Sequence, residues 1–204
     1  MTSVGGASQS VVPLPSGKRL GSDFYERPVL EVARDLVGCV LLHDGVGGMI
    51  VETEAYHECE PACHAHRGPT PRAKTLFDEP GTAYVYFSYG MHVLLNAVAE
   101  PAGVGAAVLI RAIEPIWNIE SMCERRNRTA LEDLCSGPAK LTQALAVDLA
   151  FNSGSLIDGP IEVRREGAEQ TAAGRITATR RVGISRAIEL PWRFHAVGNR
   201  HVSA

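Results

Sequence analysis

From Ala83 to Val98 the chain has few ways to fold. Ala83-Tyr-Val-Tyr-Phe-Ser88 and Val93-Leu-Leu-Asn-Ala-Val98 are rich in β-branched and aromatic residues, and Tyr89-Gly90-Met91 interrupts them with a glycine. That pattern predicts a hairpin whose tip carries Tyr89. A second strand-like segment, Ile50-Val-Glu-Thr-Glu-Ala-Tyr56, adds two carboxylates, and the two segments together hold four of the five tyrosines. Rings beside a carboxylate suit a pocket for a flat ligand, including a cationic one. A strand tyrosine is more often half-buried core with its hydroxyl satisfied. An exposed hairpin tyrosine instead marks contact with a partner.

With 204 residues and 45% hydrophobic content, one domain can bury its own core without disulfide staples. The Ser/Gly/Pro-rich stretch 1–17 reads as a disordered tail and 18–204 as a single domain. No apolar run approaches a membrane span, and the tail lacks the charged start and apolar block of a signal peptide, so a cytoplasmic protein is expected. Five cysteines, an odd number, do not form a secreted disulfide framework. The net charge of −3 argues against a general coat for gripping phosphate backbones. Residues 161–204 nevertheless hold eight Arg against four Glu, so a local basic face is compatible with the sequence.

Val29 to Val37 has helical spacing after Pro28 and stops at Gly38. Cys39 to His43 and Met49 to Glu54 read as strands joined by the Asp44-to-Gly48 turn, and Val108 to Ala112 as a buried strand. Ile116 to Arg126 and Pro138 to Val147 read as helices, the latter entered through Ser136-Gly137-Pro138. Short strands are expected at Ile161 to Arg164, Ile176 to Thr179 and Phe194 to Val197. This irregular mixture predicts an α+β fold, not a βαβ series. No glycine-rich phosphate loop follows any strand.

Two constellations carry chemistry. His57-Glu58-Cys59-Glu60-Pro61-Ala62-Cys63-His64-Ala65-His66 could supply four ligands to one tetrahedral zinc, although its spacing fits no standard finger or ribbon. The other is Glu54 with Tyr56, Tyr86, Tyr89, Asn96 and Arg111. A carboxylate at a strand end among rings suits deprotonation of a water. Glu52 and Glu54 share a strand face, so either could be the base and the other a structural partner.

These residues lie in ordered motifs: Ile50-Val-Glu-Thr-Glu-Ala-Tyr56, Arg67-Gly-Pro-Thr-Pro-Arg72, Tyr84-Val-Tyr86, Tyr89-Gly-Met91, Asn96, Leu109-Ile-Arg111-Ala, Leu134-Cys-Ser-Gly-Pro-Ala-Lys140-Leu and Arg181-Val-Gly183. Over nearly the whole chain beyond the tail, the sequence resembles the alkyladenine (3-methyladenine) DNA glycosylase family. The resemblance implies a curved, mostly antiparallel sheet with surrounding helices and a protruding hairpin that enters DNA. It implies a monomeric, monofunctional enzyme, without metal or cofactor, that flips alkylated or deaminated purines from double-stranded DNA and hydrolyses the glycosidic bond. By that resemblance Glu54 activates the water, Arg111 helps to hold it, and Glu52 is structural. Tyr56, His64 and Tyr86 would form the purine slot, Asn96 would guard its floor, and Tyr89 with Met91 would fill the gap in the duplex. The loop before His64 is one residue shorter than the family pattern, which makes His66 the alternative to His64. A zinc-stabilised nucleic-acid-binding module and a small-molecule ribonucleoside hydrolase are the competing readings.

Overall fold

The computed structural model describes residues 12–88, 90–166 and 174–203. Nine strands follow in chain order: Lys18–Arg19 (β1), Val40–His43 (β2), Val46–His57 (β3), Ala83–Ser88 (β4), His92–Val98 (β5), Ala106–Trp117 (β6), Ile161–Arg165 (β7), Ile176–Thr179 (β8) and Arg193–Ala196 (β9). Five α-helices accompany them: Ser22–Tyr25 (α1), Val29–Leu36 (α2), Ile119–Arg126 (α3), Leu131–Leu134 (α4) and Pro138–Ala144 (α5). All strands join one curled antiparallel sheet in the order β1-β7-β2-β3-β6-β5-β4, with β9 on β3 and β8 on β9. The expected α+β single domain is what forms.

β3 organises the sheet. Along one edge it pairs with β6 from Gly47 to His57, with breaks in register, while its other edge is shared: Val46 to Met49 pair with β2, and Glu52 to Glu54 pair with β9. Ile50, Val51 and Ala55 join the main core with Val32, Ala33 and Leu36 of α2, and the Thr53 hydroxyl donates to the Ala33 carbonyl at 2.7 Å. Helix α2 exists for this purpose. Its Val29, Val32, Ala33 and Leu36 are all buried, the i, i+3, i+4, i+7 stripe of a helix laid on a sheet. Burying each Val or Leu side chain contributes about 1.5–3 kcal/mol. The Glu100 carboxylate accepts from the Val29 N–H at 2.9 Å, satisfying a donor that the first helical turn leaves open.

Three sequence expectations need correction. The β2–β3 turn is confined to Asp44 and Gly45, both at positive φ, and Gly47 and Gly48 lie inside β3. A Cβ at Gly48 would stand 1.9 Å from the Glu114 carbonyl, so glycine here permits close approach to β6, not reversal of the chain. Ile116 and Trp117 belong to β6, and the helix begins only at Ile119 after Asn118 in the left-handed region. The strand tolerates Pro115 because the register slips beside it, between Gly47 and Gly48 of the partner strand. Finally, the helix expected to reach Val147 ends at Ala144.

The arginines that end α3 also have an internal use. Arg125 Nη1 donates to the Ala144 carbonyl at the end of α5 (2.9 Å), and Arg126 Nε to the Leu134 carbonyl at the end of α4 (3.2 Å). Of the expected tail, residues 1–11 lie outside the described residues. Pro13 offers its carbonyl to Trp117 Nε1 at 2.8 Å, and the Gly17 N–H donates to Glu166.

Candidate active site

The β3–β6 register slips where the two expected carboxylates stand. Ile50 faces Ile113, Glu52 faces Ala112 and Thr53 faces Ile110, so Val51 and Arg111 each face no partner in the ladder. An extra residue of this kind bends a strand and re-aims a side chain. Here it brings the Arg111 guanidinium onto the face that carries Glu52 and Glu54.

Glu54 is fully buried. Its Oε2 accepts from the Tyr56 hydroxyl at 2.8 Å and lies 3.2 Å from Arg111 Nη1, while its Oε1 accepts from the Val182 N–H at 2.7 Å. An ionised carboxylate offers about four acceptor positions, so one stays open among these partners. Burial, first, and the neighbouring Glu54 charge push the Tyr56 phenol upward, which keeps it a donor. Beneath the Tyr56 ring sits the buried Arg181 guanidinium, 4.6 Å from its centroid, itself fixed by Glu60 Oε1 at 2.7 Å and the Ala55 carbonyl at 3.0 Å.

Glu52 is equally buried but has four close donors. Oε1 accepts from Arg111 Nε (2.9 Å), Arg193 Nε (2.6 Å) and the Ser203 hydroxyl (2.9 Å), and Oε2 from the Ser203 N–H (2.7 Å). Burial alone would raise its pKa, but Arg111, the Ser203 N–H and Arg193 together outweigh burial and hold it below the ordinary carboxylate value. Burial likewise works against the charge on Arg111, and Glu54 and Glu52 more than offset it. The two carboxylates and the two guanidiniums balance, which is what lets four charges lie together out of solvent.

Tyr56, Leu109, Arg111 and Val182 line a cleft of about 1020 Å³, together with His64, Tyr86 and Asn96. Tyr84 and Tyr86 leave β4 on one face and stack with centroids 5.1 Å apart and planes at 22°. His64 stands edge-on to Tyr86 at 4.8 Å, and its Nδ1 meets the Tyr84 hydroxyl at 3.0 Å. The His64 ring looks into the open cleft, yet burial against its neighbours, with a smaller contribution from Arg72, depresses its pKa to about 4. Asn96 sits opposite Tyr84 in the β4–β5 ladder and donates to its carbonyl at 3.0 Å. Both His64 and His66 line the cleft, but His64 is the one set among the rings; His66 Nδ1 lies 2.8 Å from the Glu58 carbonyl.

Sequence reasoning missed Arg193 and Ser203 and gave the Arg181-Val-Gly183 motif no place in the site, because all of these reach it from more than 120 positions away. It also missed Tyr84 as a wall of the slot, although the Tyr84-x-Tyr86 spacing places both rings on one strand face. Tyr89, the expected wedge, lies outside the described residues. Met91 beside it is 72% exposed and Phe87 48%, which puts apolar surface at the hairpin end.

The Cys/His loop does not converge on a metal. His57 pairs with Glu100, His64 with Tyr84 and His66 with a carbonyl; Cys59 is exposed, and Cys63 is a buried thiol that burial raises to about 12. Among the described residues no group of three His, Cys, Asp or Glu side chains is placed to hold a metal ion.

Residues 23–200 match the family described as methylpurine-DNA glycosylase (MPG). The chain belongs to that family. Relatives provisionally assigned as 3-methyladenine DNA glycosylases agree: one from Bradyrhizobium diazoefficiens is 48% identical over 187 residues, 92% of each chain. One from Carboxydothermus hydrogenoformans is 47% identical and one from Methanoculleus marisnigri 44%, each over 90% of this chain and 98% of the relative. A methylpurine-DNA glycosylase acts on DNA in base-excision repair. No helix among the described residues is long and apolar enough to cross a membrane.

Proposed function

We propose that the protein draws alkylated or deaminated purines out of duplex DNA into the slot between Tyr56, His64 and Tyr86 and hydrolyses the bond to the sugar with a water activated by Glu54. The observation that carries this reading is the state of Glu54: closed to bulk solvent, held by three groups that line the cleft, and with an acceptor position left over. Such a carboxylate can serve one ordered water. That water loses a proton to Glu54 as its oxygen attacks C1′, and the base leaves with the glycosidic electron pair, giving a free purine and an abasic site. An N3- or N7-alkylated purine is already cationic and leaves readily, and aromatic walls attract it. Neutral hypoxanthine leaves as an anion that takes up a proton from Glu54 or from solvent, and so depends more on that carboxylate. Extruding the nucleotide costs a few kcal/mol, least where the base is damaged or mispaired.

The cations around the cleft support DNA over a free nucleoside. Arg67, Arg72 and Arg186 line it and have no carboxylate partner among the described residues. Phosphates would supply one. Lys140, also in the lining, is engaged by the Ser136 hydroxyl at 3.1 Å and Asp133 at 3.7 Å. We read the enzyme as a monomer that hydrolyses without a lysine Schiff base. The test is release of hypoxanthine, 3-methyladenine, 7-methylguanine and ethenoadenine from duplexes carrying one lesion each, against the same bases as nucleosides. Release from duplexes, with intact strands afterwards, is expected. Faster cleavage of the nucleosides would sink the reading.

A further inference from the structure

We propose that Ser203 is a positioning residue for the Glu54 reaction, acting through Arg111. The inference rests on the reading of Glu54 as the base, and it concerns a residue beyond position 200, where the family match ends. The Arg111 guanidinium is fixed at three nitrogens: Nε on Glu52 Oε1 at 2.9 Å, Nη1 on Glu54 Oε2 at 3.2 Å, and Nη2 on the Ser203 hydroxyl at 3.1 Å. Glu52 and Glu54 hold the first two. Ser203 supplies the third point, the one that stops the planar group from turning about the line through the others.

The hydroxyl suits this work because it is both donor and acceptor. Its hydrogen goes to Glu52 Oε1 at 2.9 Å, the only use a carboxylate allows, and its lone pair then receives Arg111 Nη2. Serine's main chain is anchored independently. Its N–H donates to Glu52 Oε2 at 2.7 Å, and its carbonyl accepts from Arg193 Nη2 at 3.2 Å. Residue 203 is therefore held in place whatever its side chain, and loss of the hydroxyl acts on Arg111. Arg111 lines the cleft and Ser203 does not, so a loosened guanidinium disturbs the attack on C1′ and leaves the DNA-contacting surface as it was.

The test compares S203A, S203T and E54Q on a duplex carrying a single hypoxanthine, with single-turnover rate, lesion-DNA Kd and unfolding midpoint measured for each. S203A is expected to lose about 10- to 100-fold in single-turnover rate, the scale of a misplaced group near reacting atoms, with Kd within about twofold. S203T, which keeps the hydroxyl, is expected to recover most of the rate. Should S203A fail to fold, S203C carries the test, because its thiol is a weaker donor and acceptor of similar size. Two results overturn the proposal: a wild-type rate in S203A or S203C, or a folded S203T as slow as S203A. E54Q separates the layers. If E54Q is inactive while S203A is fully active, only the role of Ser203 falls; if E54Q keeps its activity, the reading of Glu54 falls with it.

Discussion

Glu52 and Glu54 are two residues apart, equally buried, and both touch Arg111, yet their partners differ. Glu52 has four close donors and none of them belongs to the cleft wall except Arg111; Glu54 has an acceptor position to spare beside Tyr56 and Val182. Replacing Glu54 by Gln keeps the size and removes the proposed base, so hypoxanthine excision is expected to fall by about 10²–10⁴-fold while lesion-DNA binding persists, a single-turnover measurement beside a binding isotherm. Replacing Glu52 by Gln leaves two guanidiniums short of a buried counter-charge. It is expected to cost about 3–5 kcal/mol of stability, read as a drop in the urea midpoint, before it costs turnover per folded molecule. A well-folded, inactive E52Q beside an active E54Q would exchange the assignments. Asn96 poses a different question. Its amide nitrogen is given to the Tyr84 carbonyl, and the side chain lines the cleft; on the proposed reading the exocyclic amino group of guanine would collide with it. Asn96→Ala is expected to begin releasing guanine-like bases, and an unchanged substrate range would remove Asn96 from selection.

At the scale of elements, arginines that look alike in the sequence separate by what they touch. Arg125 ends on a carbonyl of α5, whereas Arg186 lines the cleft without a carboxylate partner among the described residues. Arg125→Ala should therefore cost about 1 kcal/mol of stability and leave the salt dependence of DNA binding alone. Arg186→Ala should reduce the slope of log K against log salt by about 1 at unchanged stability. The same slope for both variants would mean that the basic residues act as one diffuse field. This contrast shows how far the sequence could be read. The β4–β5 hairpin was legible because Tyr89-Gly90-Met91 interrupts two runs that no other element would use, and α2 because its apolar residues keep one period. The extent of β6 was not, since Pro115 reads as a strand stop unless the slip opposite Gly47 and Gly48 is known. In the site, Glu54, Tyr56 and Arg111 announced themselves as polar residues in apolar strands. Arg193 and Ser203 did not, because their meaning is given only by the β3–β9 pairing that brings Arg193 opposite Glu54.

Across the whole molecule, the site and the stability of the fold depend on the same ionisations. His64 is held neutral at pKa about 4 against an ordinary 6.5, and burial also lowers His201. Protons that the unfolded chain takes up below pH 6.5 are refused by the folded one, so stability falls as pH drops from about 6.5 and, for His64, stops falling near 4. Glu52 acts next. Its folded pKa lies below the ordinary 4.5, so the stability that it contributes is complete above that value and is lost as pH falls through the folded one. Acid unfolding should thus come in two overlapping stages, histidines first and the buried carboxylate network second. Urea midpoints measured from pH 8 to pH 3 are the check. His64→Gln is expected to flatten the stretch between about 6.5 and 4, leaving the smaller share due to His201, and to leave the decline below 4.5 intact. Glu52→Gln is expected to start lower and to lose that second decline. If His64→Gln instead follows the wild-type curve throughout, the His64 ring is not held neutral by the fold, and the cleft has a wall that can carry charge.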